Sequence, residues 1–194
     1  MANRDAEAAR RYHEATKHSW ESVRRLSHPL DWANQPRPYK EYPGIELEPL
    51  PPTLERLLRL GAGVSRRRRG YDFRTYSSAG ALYPIEVYVA TADGVFHFHP
   101  RELGLARLRH DDVRAALGGG ETVLALTGIL WRTAWKYGAR GYRHLFWDAG
   151  TMLANLLELA GEARVLTGFV DEEVNAVLGV DGVDETALAL VQLR

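Results

Sequence analysis

Two apolar spacings divide the chain. Ile85, Val87 and Val89 alternate with Glu86, Tyr88 and Ala90, and this period of two predicts a strand with distinct faces. Asp93-Gly94 predicts a tight turn, and Val95 to His99 the returning strand. Leu105 to Arg109 predicts a third strand. Val123 to Leu126 is an unbroken apolar run between two Thr, which predicts a central strand buried on both faces. Arg164 to Phe169 and Thr186 to Leu193 predict two more. Helical spacing appears at about 5–27, where Ala9, Tyr12, Trp20, Val23 and Leu26 share a stripe. It recurs at Thr53 to Leu60, where Leu54, Leu57 and Leu58 form the buried side and Gly61 and Gly63 predict the end. Asp111 to Leu117 predicts a short helix closed by Gly118-Gly119-Gly120. The broadest apolar surface lies at about 140–160, the predicted core helix. Asp171 to Leu178 opens with acids, which favour a helix N-terminus. Helices interleaved with strands in this order predict an α+β sandwich around a mixed sheet.

One stretch fits neither period. Residues 28–52 hold seven of the nine prolines, so they predict an extended arm that cannot pair as a central strand. The arm also carries Trp32, Tyr39 and Tyr42, which predicts that it lies on a surface. This suggests two parts, an N-terminal helix and arm over 1–52 and a domain over 53–194.

Composition narrows the function. The 194 residues include 25 basic and 25 acidic side chains, a balance that argues against nucleic-acid or membrane-surface binding. There is no Cys, which removes disulfides, thiolate metal sites and Cys nucleophiles. No run of eighteen apolar residues exists, and the polar N-terminus does not read as a signal peptide, so a soluble cytoplasmic protein is expected. Only three of the basic residues are Lys, namely Lys17, Lys40 and Lys136, which makes each slightly more informative. Arg66 to Arg69 reads as a solvated loop, with reach to a phosphate as the alternative. His97 and His99 share a strand face, but no carboxylate on that strand completes a metal set, and no metal site is expected. No nucleophile elbow, phosphate loop or dinucleotide fingerprint is present.

Two segments concentrate candidate chemistry. In the first, Arg74 leads into Ser77, Ser78, Ala79, Gly80 and Ala81, followed by Leu82-Tyr83-Pro84. Small residues let a planar ligand approach the backbone, whose N–H groups can donate to an acceptor-rich ring; a plain Ser/Gly loop is the alternative. In the second, Lys136 and Tyr137 stand among Trp131, Trp135, Arg132, Arg140 and Arg143. Burial or neighbouring cations would favour a neutral, basic Lys, and a phenol near cations can donate a proton. An aromatic loop with Arg stacked on rings is the alternative.

Together these segments resemble the flavin-dependent nitroreductase superfamily, and within it the SagB-type dehydrogenases that oxidise azolines in modified-peptide pathways. The resemblance runs through Arg74, the Ser78–Pro84 loop with its following strand, Lys136-Tyr137, and Asp148 to Leu156 on the core helix. It extends to Val174 to Asp181 and to N-terminal stretches around Tyr12 and Trp32. Ser77 stands where that family has Pro, Thr151 where many relatives have His, and Glu46 to Pro52 near the place of a phosphate-binding Arg segment.

The resemblance implies a nitroreductase-like α+β three-layer sandwich with a mostly antiparallel central sheet flanked by helices. It implies a homodimer with FMN at the interface, around which the arm could wrap the partner. It assigns Arg74, Ser77, Ser78, Ala79, Gly80, Ala81 and Asn155 to the flavin, with Arg194 or one of Arg66 to Arg69 for its phosphate. Lys136 and Tyr137 become catalytic, in proton removal. The expected reaction is oxidation of an azoline-like ring in a small molecule or modified peptide. The alternatives are an NAD(P)H-dependent nitro or quinone reductase and a catalytically silent flavin-binding relative.

Overall fold

A computed structural model describes residues 6–24 and 30–193. Its elements in chain order are α1 (Glu7–Thr16), α2 (Trp20–Arg24), β1 (Leu47–Pro49), α3 (Pro52–Ala62), β2 (Val64–Arg68), β3 (Tyr71–Arg74), β4 (Ile85–Thr91), β5 (Gly94–His99), β6 (Gly104–Arg109), β7 (Thr122–Ile129), α4 (Leu130–Tyr137), α5 (Gly141–Ala160), β8 (Ala163–Leu166), α6 (Asp171–Leu178) and β9 (Glu185–Leu193). Seven strands form one sheet in the order β1-β6-β5-β4-β7-β9-β8, and β2 pairs with β3 in a separate hairpin.

Every pairing in the large sheet is antiparallel, so the mixed sheet expected from element order is replaced by the antiparallel one the resemblance implied. The predicted alternation in β4 separates the two faces. Ile85, Val87 and Val89 join Leu58 of α3 and Leu145, Met152 and Leu156 of α5 in one core. Tyr88 and Ala90 turn to the other side, with Val174 and Leu178 of α6 and Leu117. The molecule is thus a three-layer α+β sandwich, with β4 and β7 at its centre.

Several sequence expectations change. The predicted single helix over 5–27 breaks at Lys17, whose backbone is extended (ψ 148°). Ser19 and Ser22 then exchange side chain to backbone hydrogen bonds at 2.9 and 3.0 Å, a reciprocal cap that starts α2. Trp20 is 81% exposed and gains little from the roughly 1.5–3 kcal/mol that full burial supplies. Leu26 and the end of that predicted helix lie outside the described residues. Gly61 does not end α3. It sits within it, and a Cβ there would stand 2.5 Å from Leu156 Cδ2, so its lack of a side chain lets α3 and α5 touch. Arg66 to Arg68 lie in β2 rather than in a loop, and Arg69-Gly70 closes the hairpin. The helix expected from Asp111 shortens to one 3₁₀ turn, Arg114–Leu117.

The arm lies on the second face of the sheet. Its β1 is an edge strand on β6, as its prolines require. Tyr39 packs edge-on against His99 at 5.0 Å and Tyr42 against His97 at 5.2 Å. Lys40 reaches deepest: its backbone N–H donates to Glu86 at 2.8 Å, and its Nζ to Glu185 at 2.7 Å and Tyr88 at 3.0 Å.

Candidate functional site

The fold brings the two candidate segments together. After β3 the chain crosses over the middle of α5, which holds it through one helix face. Asp148, Thr151 and Asn155, at i, i+3 and i+7, point the same way. Asp148 is buried; its carboxylate accepts from Ser78 Oγ at 2.5 Å and from the Ala79 N–H at 3.1 Å. Thr151 Oγ1 donates to the Ser77 carbonyl at 2.7 Å, and Asn155 Nδ2 to the Thr75 carbonyl at 3.3 Å. Ser78 Oγ in turn accepts from the Tyr83 N–H at 2.9 Å. The loop is therefore clamped by three side chains and tied to its own exit.

Arg74 anchors the entry. Its guanidinium is buried and donates to the carbonyls of Ala62 at 3.0 Å and Ile85 at 3.1 Å. Its Nη2, with Thr75 Oγ1 and Tyr76 OH, is buried without a hydrogen-bond partner among the described residues. Three consecutive residues thus hold unspent polar atoms immediately ahead of the loop, and such groups are costly to leave unpaired.

Ala79–Ala81 form a short turn in which Gly80 has φ +65°. A Cβ on Gly80 would stand 2.8 Å from Tyr137 Oη and 3.0 Å from Lys136 Nζ. Consecutive residues on a helix ordinarily diverge, yet here both face the loop. Tyr137 ends α4 with φ −114° and ψ 2°, and Gly138 follows with φ 54°, so the last side chain swings out of helical register. Lys136 Nζ lies 5.6 Å over the Tyr137 ring, and neither it nor Tyr137 Oη makes a hydrogen bond or ion pair with a described residue.

The expected cationic shell divides. Arg132 turns inward and pairs with Glu86 at 2.6 Å. Arg143 donates to Thr16 Oγ1 at 2.9 Å and Arg140 to the Thr16 carbonyl at 2.5 Å, so both are spent in part on the end of α1. Trp135 stacks edge-on against Trp32 of the arm at 5.5 Å. His144 lies on the Tyr137 ring, with centroids 4.2 Å apart. Burial, then the nearby Arg140 and His18, push the His144 imidazole below its usual range. Burial and the Asp148 charge push the Tyr137 phenol up, which keeps it a proton donor. Burial likewise raises Asp148, against its hydrogen bonds from Ser78 and Ala79.

Sequence reading missed Asp148 and Thr151 as the loop's clamp and His144 as the platform under Tyr137. The i, i+3, i+7 spacing was a usable signal for the first two; the third depends on contact between two helices. Arg194 lies outside the described residues. Among the described residues no group of three or more His, Asp or Glu could hold a metal ion, and no helix is long and apolar enough to cross a membrane.

No family model matches the chain. A protein of Methanocaldococcus jannaschii that bears the name nitroreductase is 29% identical over 147 residues, covering 66% of this chain and 73% of that protein. The microcin B17-processing protein of Escherichia coli is 28% identical over 133 residues, 56% of this chain and 49% of that protein. A solved structure from Anabaena variabilis, also named for nitroreductase, superposes with a TM-score of 0.87 at 31% identity, over 95% of this chain and 45% of that chain. This chain therefore spans about half the length of the second and third relatives.

Proposed function

The chain belongs to the nitroreductase superfamily, and from that premise we propose that it is an FMN-dependent oxidoreductase of the SagB type, oxidising an azoline-like ring. One observation carries the reading: a Lys amine and a Tyr hydroxyl, both unspent, converge on the backbone of the small-residue loop at Gly80. Flavin, when bound, accepts a hydride equivalent. Ser77, Ser78, Ala79, Gly80 and Ala81 would hold its ring system, with Arg74 and Asn155 at polar edges and Arg194 a candidate for the phosphate. The unspent polar atoms of Arg74, Thr75 and Tyr76 fit a ligand rich in acceptors and donors.

Azoline oxidation removes a carbon-bound proton as well as a hydride, and so needs a protein base. Nitro or quinone reduction does not need one at the substrate. Lys136 is the base in this reading, taking the proton at Nζ, and Tyr137 Oη holds the substrate beside it. The relationship to the microcin B17-processing protein supports a peptide-borne ring as substrate. An NAD(P)H-dependent reductase is the second reading, favoured by the name of the Methanocaldococcus relative. The proposed assembly is a homodimer. On α5, Tyr142, Phe146 and Trp147 are each about half exposed, a patch that a second subunit would cover.

General-base catalysis contributes about 10²–10⁴-fold. Lys136→Ala is expected to lower turnover of an azoline-bearing peptide by about that factor, with flavin content unchanged; Tyr137→Phe is expected to lower it as well. Near-normal NAD(P)H-driven nitroarene reduction in both variants, with no azoline oxidation by the parent protein, would replace the dehydrogenase by the reductase. Loss of flavin in Lys136→Ala would move that residue to the cofactor's surroundings.

A further inference from the structure

The chain carries no net charge, yet one cavity is walled by basic side chains and, among the described residues, by no acid. It has a volume of about 550 Å³ and lies between the end of α1, the start of α2 and the corner where α4 meets α5. Lys17, His18, Lys136, Arg140 and His144 are its basic walls, with Tyr137 beside them, and no Asp or Glu lines it among the described residues. Overall basicity cannot explain the excess, because the whole molecule is balanced.

Part of this donor capacity is uncommitted. Arg140 uses Nη1 on the Thr16 carbonyl, while its Nε is buried without a partner. The nearest described polar partner of His18 is Ser22, at 3.5 Å. Lys17 is paired with Glu14, which stands outside the lining. Arg140 and Arg143 hold the last carbonyls of α1, which fixes the helix where Lys17 and His18 face the cavity. A guanidinium keeps its charge at any physiological pH and presents several N–H donors in a plane, which suits a carboxylate or phosphate.

We infer that this cavity binds an anionic group, a carboxylate or a phosphate, through Arg140 with His18 and Lys17 at its mouth. Lys136 and Tyr137 form its inner wall, so a molecule held by its anion at Arg140 extends toward Gly80. That the anion belongs to the substrate rests on the role proposed above for Lys136 and Tyr137. That the cavity takes an anion does not. Arg140 is then a specificity residue, separate from the proton-handling pair.

Titration calorimetry of the purified full chain tests this with benzoate, its neutral counterpart benzamide, and inorganic pyrophosphate. Benzoate is expected to bind at least about tenfold more tightly than benzamide, and Arg140→Gln to remove roughly ten- to a hundredfold of benzoate affinity. Because Arg140 also seats α1, the double variant Lys17→Gln/His18→Gln provides a second arm, with a smaller loss expected and the α1 contacts intact. Benzoate binding assigns a carboxylate; pyrophosphate binding without benzoate assigns a phosphate. Equal affinity for benzoate and benzamide with no pyrophosphate binding overturns the inference, as does anion binding unmoved in both variants. Loss of flavin from Arg140→Gln also overturns it, by giving the cavity to the cofactor. Flavin-free wild-type protein that still binds benzoate upholds the anion site while removing the oxidoreductase reading.

Discussion

Glu86 shows how one side chain joins the arm to the site. It is fully buried, which alone would raise its carboxyl, but Arg132 at 2.6 Å, His97 at 3.0 Å and the charge of Arg74 outweigh burial and hold it well below the usual carboxylate range. Unfolded, the carboxyl returns to about 4.3. Its stabilisation is therefore complete above that value and is lost as pH falls below it, by roughly 1.4 kcal/mol per pH unit. Glu86→Gln leaves Arg132 and His97 buried without their anion and should cost roughly 3–5 kcal/mol near neutral pH. Urea unfolding of both proteins checks this: the gap should hold from about pH 7 down to roughly pH 4.5 and narrow below about pH 4, and a gap that stays constant down to about pH 3 would refute the coupling. At this scale the sequence was partly legible. The loop and the Lys-Tyr pair stood out by residue type. Their meeting at Gly80 did not, because it depends on Tyr137 leaving helical register at Gly138.

Among the elements, the arm has the clearest energetic consequence. Lys40 bridges Glu185 and Tyr88; burial disfavours its ammonium, but the hydrogen bond and charge of Glu185, with Tyr42, outweigh burial and hold it above its usual range. Its side chain is 30% exposed, so the cost of removing it is set below that of a fully buried pair. Lys40→Met should lower unfolding free energy by roughly 1–3 kcal/mol and speed hydrogen exchange at Lys40 and Ile45 before that of β7. Unchanged exchange there would show that Tyr39 and Tyr42 alone seat the arm. Some elements were legible, each from a different signal: β4 from its alternation, β5 from the Asp93-Gly94 turn that returns it, β7 from its unbroken apolar run and α6 from the acids that open it. The β2–β3 hairpin was hidden because four of the five β2 residues are exposed, leaving no alternation to read. Helix α4 runs straight on from β7 without a capping side chain, so its start carried no signal. Its spacing of Leu130, Thr133, Ala134 and Tyr137 was present but masked by the density of aromatic and basic residues.

Across the whole molecule, the sheet, α5 and the arm place one small-residue loop against the Lys136 amine and the Tyr137 hydroxyl, beside a cavity walled by basic side chains. The clamp of Asp148, Thr151 and Asn155 holds that loop, and Gly80 is the point where it meets Lys136 and Tyr137. A branched side chain at Gly80 would strain a backbone at φ +65° and press on Lys136 and Tyr137. The most direct measurement is therefore FMN binding by the purified protein, followed by quenching of flavin fluorescence and by identification of flavin released on denaturation, for the parent chain and for Gly80→Val. The account predicts stoichiometric FMN in the parent and at least about tenfold weaker binding in a folded Gly80→Val. A parent protein that carries no flavin and leaves added FMN fluorescence unquenched would contradict it.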